Sequence, residues 1–144
     1  MRTRFQGAIT LPARTCDLGQ WGEDMACTYL ENKGYRILER NWRTRDGELD
    51  IICSHNGELV FVEVKTRGPG SLGKPGEALH TAKQSRLVKA ACAYVSRSHA
   101  WETPARFDFI GLQLDQDAVQ VEHEHNVIDA WETMGGGHAS WQPW

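Results

Sequence analysis

Two short segments place acidic and basic side chains two residues apart, the spacing that puts side chains on one face of a β-strand. Glu48 and Asp50 form the first pair, and Glu63 and Lys65 form the second. Because side chains alternate between the faces of a strand, each pair is expected to project from a single face. Burying such groups is unfavourable unless they are paired or bind a metal. The pattern therefore predicts a polar site where two neighbouring strands meet.

The two predicted helices carry polar side chains where apolar ones are expected. Glu23 is in register with Ala26 and Leu30, at the edge of the buried face of the first helix. Lys83 falls within the apolar stripe of the second helix, close to its first residue. A lysine beside a helix N-terminus suits a phosphate group. We expect both side chains to lean over the same sheet.

Several carboxylates with one lysine are what metal-dependent phosphodiester cleavage requires. Oxygen ligands hold Mg²⁺, which polarises the phosphate and lowers the pKa of an attacking water. A nearby lysine can stabilise the negative charge of the transition state or orient that water. The alternative is a partly exposed ion pair, between Lys65 and either Glu63 or Asp50, on an amphipathic sheet.

The net charge of −3 conceals a strong segregation of charge along the chain. Residues 65–97 carry seven Lys and Arg residues against one Glu, whereas residues 98–144 carry one Arg against eight acidic residues. A basic segment of this size suits a polyanion such as nucleic acid, although a solvated helix face would have the same composition. The side chains expected to contact phosphate are Lys83, Arg86, Lys89 and Arg67.

The 144 residues, 40% apolar and 24% charged, predict one ordinary globular domain. No apolar run approaches the roughly 20 residues that span a bilayer, and no signal-peptide core is recognisable, so membrane association is not expected. The four cysteines form no CxxC pair, which excludes a zinc ribbon. Reduced thiols in a cytoplasmic protein are expected.

Periodicity and turn residues predict the element order α-β-β-β-α-β-β, a mixed sheet of about five strands flanked by helices. The predicted helices are 17–34 and 81–98, with a short one at Asn126–Trp131, and the predicted strands are 35–43, 48–53, 59–66, 106–114 and 118–123. Residues 1–16 are expected to be a flexible arm, 17–132 a single domain and 133–144 a flexible tail. The loop Gly68–Gly76 is expected to be a mobile flap.

The phrase Glu48-Leu49-Asp50-Ile51-Ile52, followed by Leu59 to Arg67 with Glu63-Val64-Lys65 at its centre, resembles the signature of the bacterial YraN-like family. That family is placed in the restriction-endonuclease-like superfamily, whose nucleases bear a D…(E/Q)xK pattern and include Holliday-junction resolvases of the archaeal type. The resemblance covers roughly residues 18–131.

The resemblance implies a restriction-endonuclease-like α/β fold and a Mg²⁺- or Mn²⁺-dependent endonuclease acting on DNA, with branched or damaged structures as candidate substrates. It implies that Asp50 and Glu63 bind the metal, that the Val64 carbonyl is a further ligand and that Lys65 is the catalytic lysine. Glu48 belongs to the family phrase and is a further candidate ligand.

Two helical residues also match the family. Glu23 matches the helix carboxylate of resolvase-like members, and Lys83 matches a second-helix lysine. A non-catalytic nucleic-acid-binding module with the same fold is the alternative to an enzyme. The carboxylates favour the enzyme, because a pure binding module has no need of groups that repel phosphate. Junction-cutting relatives dimerise, and the segment Asn126–Trp131 is a candidate homodimer interface by analogy.

Weaker signals lie elsewhere in the chain. His123 and His125 share a strand face and could bind a transition metal, or they are solvated histidines at a strand end. Asp108 lies in an apolar strand and either joins the acidic site or pairs with a neighbouring arginine. Trp21 and Trp42 either stack on unpaired bases or pack against the core.

Overall fold

The computed structural model describes residues 2–6, 15–68, 79–115 and 118–133. The elements are β1 (Arg2–Gln6), α1 (Thr15–Asn32), β2 (Arg36–Arg43), β3 (Glu48–His55), β4 (Glu58–Arg67), α2 (Thr81–Arg97), β5 (Ala105–Asp115), β6 (Ala118–Glu124) and α3 (Ala130–Thr133). The predicted order α-β-β-β-α-β-β is confirmed from α1 to β6.

A single mixed sheet of six strands has the order β1-β6-β5-β4-β3-β2. Its neighbours are antiparallel except β4 and β5, which run parallel because α2 carries the chain back across the sheet between them. The predicted mixed sheet flanked by helices is confirmed. As its apolar density predicts, β4 lies in the interior of the sheet, between β3 and β5.

The two faces of the sheet bury two apolar clusters. Residues of α1, including Ala26 and Leu30, pack with one face, and residues of α2, including Leu87 and Val88, pack with the other. Two-residue spacing on a regular strand would place Leu49 on the same face as Ile51 and Cys53, but Leu49 packs on the α2 side. Leu49 pairs with Trp42 of β2 but has no partner on β4, because pairing between β3 and β4 begins at Ile51.

Helix α1 lies very close to β4 at Gly22. A Cβ atom at this position would collide with the Thr66 hydroxyl, so glycine is what allows the helix to approach the strand. This close contact sets the distance between α1 and the sheet, and so positions the next residue, Glu23, relative to the sheet. Gly34 follows the helix with φ +90°, which confirms the predicted glycine at its C-terminal end.

Helix α2 is capped one residue earlier than the sequence predicts. The N-cap is His80, whose Nδ1 accepts a hydrogen bond from the Lys83 backbone N–H at 3.3 Å. The spacing Thr81-x-x-Gln84 is typical of a capping box, but this box does not form, since the Gln84 side chain instead donates to the Leu79 carbonyl at 2.9 Å. Both bonds tether the first turn of α2, which holds Lys83.

The ends of the chain differ from the expectations for them. Residues 2–6, expected within a flexible arm, form the edge strand β1 against β6, and α1 begins at Thr15. Helix α3 begins at Ala130 rather than Asn126. Most of the expected flap at Gly68–Gly76, and residues 134–144 of the expected tail, lie outside the described residues.

The candidate dimer segment is partly used within its own chain. Ile128 is buried in the cluster on the α2 side, with Val127 and Ala130 packed against it. A homodimer through this segment stays a prediction. Among the described helices, none combines the length and the apolar character needed to cross a membrane.

Candidate functional site

Asp50 and Glu63 lie where β3 and β4 separate. The paired ladder ends at Ile51 and Val62, and its register, continued by one step, sets Asp50 opposite Glu63. The Val64 backbone N–H donates a hydrogen bond to Asp50 Oδ2 at 2.9 Å rather than to a backbone carbonyl of β3. The Asp50 carboxyl also shares a hydrogen bond with the Glu63 carboxyl. The structure thus brings together the two carboxylates that the sequence pairs.

The environment of this pair disfavours two negative charges. Burial, and then the neighbouring charge of Glu63, raise the pKa of Asp50 to about 7, although the Val64 N–H and the Lys83 ammonium act in the opposite direction. Two carboxylates held this close in a poorly solvated site ionise together only with difficulty. A shared proton or a cation would relieve the repulsion.

Lys83 reaches the carboxylate pair from α2. Its Nζ lies 2.6 Å from Glu63 Oε1, and the Glu63 side chain is only 10% exposed, against 34% for Lys83. The prediction that Lys83 leans over the sheet is confirmed. Its contact in this structure is a carboxylate, so the ammonium is not presented as an open phosphate-binding group.

Glu23 adds a third carboxylate from the α1 side. Burial raises its pKa, the charge of Asp50 raises it further, and a hydrogen bond with the Asn41 side chain lowers it. Asn41 adopts φ +50° within β2, a left-handed conformation that asparagine tolerates better than most residues. Glu48 is exposed and lies 3.5 Å from Arg43, and its charge also reaches Glu23.

Of these residues, Asn41 is the one whose part in the site the residue pattern did not indicate. It orients Glu23, and this role depends on a backbone conformation that no spacing rule reveals. Asn41 does fall within the wider stretch, roughly residues 18–131, that resembles the YraN-like family, and this was the available signal. Val64 contributes its backbone N–H to Asp50, while its carbonyl as a metal ligand stays a prediction.

The remaining predicted residues are exposed, apart from Arg67. Lys65 is exposed on β4, two residues beyond Glu63 and on the same face. Arg86 and Lys89 are exposed on α2, and the turn between β2 and β3 lies against Arg86 at Gly47. Arg67 is half-buried at the end of β4. Lys65, Arg86 and Lys89 are exposed and therefore accessible to an approaching polyanion.

A second polar cluster centres on Asp108. Its carboxylate accepts from Arg106 Nε at 3.0 Å and from the Asn126 N–H at 3.0 Å, and His123 Nε2 lies 2.8 Å away. Burial alone would raise the pKa of Asp108, but these hydrogen bonds together hold it below its ordinary value. The predicted pairing of Asp108 with an arginine is confirmed, and its partners are not the residues of the acidic site.

Asp108, His123 and His125 bring one ligand atom each within 4.8 Å of one another, the one such set of three among the residues described. The rings of His123 and His125 stack with centroids 4.0 Å apart. Because donors, including the guanidinium of Arg106, already occupy the Asp108 carboxylate, the geometry is that of a structural ion-pair network. A transition metal at the two histidines stays a prediction.

The two tryptophans pack rather than project. Trp42 meets Tyr94 edge to face with centroids 5.3 Å apart, and Trp21 lies against the cluster on the α1 side. The core-packing interpretation is therefore confirmed for both.

Fold and site together define a mixed α/β domain with a buried carboxylate pair and a lysine-bearing central strand. The model of the "Uncharacterised protein family UPF0102" matches residues 22–112. The chain therefore belongs to UPF0102, the YraN-like family that its motifs resemble.

Relatives match over most of their length. A UPF0102 protein of Nitratidesulfovibrio vulgaris is 44% identical over 126 residues, which covers 88% of this chain and 94% of that one. One of Lawsonia intracellularis is 38% identical over 131 residues, covering 91% and 99%. One of Chlorobium chlorochromatii is 47% identical over 116 residues, covering 81% and 85%.

Among solved structures, the Ca²⁺ complex of Pyrococcus furiosus SfsA is similar to this chain with a TM-score of 0.38 and 15% sequence identity. The match covers 80% of this chain and 65% of that one. A likeness at this level carries no argument about activity.

Proposed function

We propose that this protein is a Mg²⁺- or Mn²⁺-dependent endonuclease that hydrolyses phosphodiester bonds in DNA, with branched or damaged structures as the first substrates to test. The observation that carries the proposal is the buried pair of carboxylates, Asp50 and Glu63, side by side where β3 and β4 separate. Lys65 follows on the same face of β4, as cleavage of an anionic ester requires.

The donor set of the pair fits a hard divalent cation. Mg²⁺ and Mn²⁺ prefer oxygen ligands, and two adjacent carboxylates offer two negative charges that a divalent ion would balance. Asp50, Glu63 and the Val64 carbonyl are the groups that would hold it, with Glu23 and Glu48 as the neighbouring carboxylates. When bound, such an ion polarises the phosphate and lowers the pKa of an attacking water.

The chain's own residues supply the rest of the chemistry. Lys65 lies two residues beyond Glu63 on the same face of β4, and its ammonium would orient a water or stabilise negative charge that develops on the phosphate. Glu23, held by Asn41 on the far side of Asp50, adds a carboxylate that can orient a further water.

The surface around α2 supports a polyanionic substrate. Arg86 and Lys89 are exposed on this helix, and its first turn carries no acidic residue that would repel phosphate. Positive side chains of this kind position a nucleic acid by contacting its backbone and carry no sequence information themselves. The proposal is therefore an enzyme that recognises the shape of a nucleic acid rather than a base sequence.

The direct test incubates pure protein with labelled linear, nicked, flapped and four-way DNA in Mg²⁺, Mn²⁺ or EDTA. We expect cutting of at least one structure with either metal and none with EDTA. Asp50→Asn should abolish cutting, whereas Asp115→Asn, which removes an exposed carboxylate at the end of β5, should not. Wild-type protein that cuts none of these DNAs would refute the nuclease.

One observation favours the second candidate, a nucleic-acid-binding module without cleavage. Lys83 already neutralises Glu63, so the carboxylate pair has a cationic partner without any metal ion. A binding module would bind the same DNA structures equally well in Mg²⁺ and in EDTA, and Asp50→Asn would bind as the wild type does. Gel-shift titrations of the same DNA panel distinguish the two.

A further inference from the structure

The Lys83–Glu63 ion pair involves one of the two carboxylates that the proposed metal site requires as ligands. The Lys83 ammonium lies 2.6 Å from Glu63 Oε1, and Glu63 in turn touches Asp50. A divalent cation shared by the two carboxylates would lie close to this ammonium. Like charges at such a distance in a poorly solvated site repel strongly, so the ammonium and the ion compete for Glu63.

The structure leaves Lys83 a route out of the site. About a third of its side chain is exposed, whereas Glu63 is nearly buried, so the lysine rather than the glutamate is free to turn toward solvent. Its backbone is held, because its N–H donates to His80 at the start of α2. Release therefore requires only rotation about side-chain bonds, and α2 can stay in place.

We propose that Lys83 occupies the cation position at Glu63 in the metal-free protein, and that a divalent ion displaces its ammonium toward the nucleic-acid phosphate. This inference rests on the proposed function and adds a coupling to it. Metal binding supplies a phosphate-binding charge, and bound phosphate in turn stabilises the displaced lysine. By linkage, each ligand must then raise the affinity for the other by the same factor.

The first test measures the reactivity of the Lys83 amine in the wild-type protein. Brief acetylation with acetic anhydride, read by peptide mass spectrometry, is carried out in EDTA and in Mg²⁺, with exposed Lys33 as the internal reference. We expect Lys83 to react several-fold faster in Mg²⁺ while Lys33 is unchanged. Equal labelling of Lys83 in both conditions would overturn the proposal.

The second test measures Mg²⁺ affinity by calorimetric titration without DNA. Lys83→Met keeps the length of the side chain and removes the competing charge, so we expect Mg²⁺ to bind roughly tenfold more tightly than to wild type. Lys33→Met removes an equal charge elsewhere and should leave the affinity unchanged. Unchanged or weaker Mg²⁺ binding by Lys83→Met, or no Mg²⁺ binding by the wild type, would refute the exchange.

The third test measures DNA affinity by gel shift with and without Mg²⁺. Wild-type protein should gain affinity from Mg²⁺, and Lys83→Met should lose that gain; an equal gain in the variant would contradict the coupling. These outcomes are distinguishable from failure of the nuclease. A protein that cuts no DNA but releases Lys83 on adding Mg²⁺ refutes the enzyme alone, whereas one that cuts DNA with Lys83 labelling unchanged refutes the exchange alone.

Discussion

The carboxylate of Asp50 replaces a strand partner for the backbone N–H of Val64, 2.9 Å away. Pairing between β3 and β4 has ended one step earlier, at Ile51 and Val62. The same side chain therefore accepts a hydrogen bond at the end of the ladder and also lies beside Glu63. An asparagine could keep the first role, because its amide oxygen also accepts a hydrogen bond, but it would lose the charge that Asp50 brings beside Glu63.

Asp50→Asn is expected to stabilise the metal-free protein at pH 8 and to have little effect at pH 4. The folded-state pKa of Asp50 is raised from 3.8 to about 7, so the folded protein holds this proton more tightly than the unfolded chain. The resulting stability is present below pH 4 and is lost as the pH rises through 7. The gain in the variant has an upper limit of about 4 kcal/mol.

Urea unfolding at the two pH values measures this difference. A variant that loses more stability at pH 8 than at pH 4 would show that the Asp50 charge supports folding rather than opposing it. Asp115→Asn, at an exposed carboxylate, should behave like the wild type at both values.

Mg²⁺ or Mn²⁺ is expected to raise the melting temperature of the wild-type protein, and EDTA should reverse the shift. A ligand that binds only the folded state stabilises it by about 2.7 kcal/mol at a concentration 100 times its Kd. Asp50→Asn should abolish the shift, since one of the two carboxylates of the pair is gone. Differential scanning fluorimetry checks this, and a full shift in the variant would exclude Asp50 as a ligand.

Lys65→Ala is expected to reduce cleavage by roughly 10²–10³ while leaving DNA affinity within a few-fold, because a single preorganised stabiliser of charge is lost. Metal binding should be intact or slightly tighter. Lys65→Arg should rescue only partly, since a planar guanidinium does not reproduce a compact ammonium. Single-turnover cleavage at saturating protein is the measurement, and a wild-type rate for Lys65→Ala would remove this assignment alone.

The affinity for duplex DNA is expected to fall steeply with salt. Each phosphate contact contributes about −0.9 to the slope of log affinity against log salt concentration. Replacing the exposed pair Arg86 and Lys89 by Ala should therefore flatten the slope by about 1.8. The control is Lys33→Ala, which removes one exposed positive charge just after α1 and should leave the slope unchanged. An unchanged slope in the double variant would place the binding surface elsewhere on the molecule.

Asp108→Asn is expected to destabilise the fold by about 3 kcal/mol, because it removes the buried one of the two carboxylates that pair with the largely buried Arg106 and leaves it only the more exposed Glu58. The pKa of Asp108 is lowered in the folded state, so its contribution is present above the ordinary value and is lost as the pH falls. The control is Asp24→Asn, which breaks an exposed ion pair with Arg40 and should lose 1 kcal/mol at most, roughly. Urea unfolding at pH 7 compares them, and similar losses would contradict the assignment.

The meeting of Asp50 and Glu63 was predictable from the sequence. A two-residue period and the turn at Asn56–Gly57 set the register of a hairpin, and register sets which side chains are opposite. The contact of Lys83 with Glu63 was not predictable, because it depends on where α2 crosses the sheet. Local patterns place Lys83 near the start of a helix but do not say which strand lies beneath it.

Two features of the fold were not predicted, the N-cap of α2 and the strand at residues 2–6, and both depend on contacts that local sequence does not determine. Thr81 has the more usual N-cap side chain, yet His80 takes that role through its ring nitrogen. Residues 2–6 form a strand by pairing with β6, which is distant in the sequence. Their own composition does not indicate this tertiary contact. In both places a long-range arrangement outweighs local preference.

The parallel pairing of β4 with β5 has a consequence for how the protein folds during its synthesis. The strand that holds Glu63 and Lys65 obtains its second neighbour only when Leu59 meets Ala105, with all of α2 between them. Closing so long a loop is entropically unfavourable and makes such pairings slow to form. During synthesis on the ribosome, β4 would emerge well before β5 and would remain an exposed sheet edge until β5 pairs with it. A chain released before β5 is made would hold every acidic residue of the site but only the β2, β3 and β4 part of the sheet, with β4 unpaired along one side.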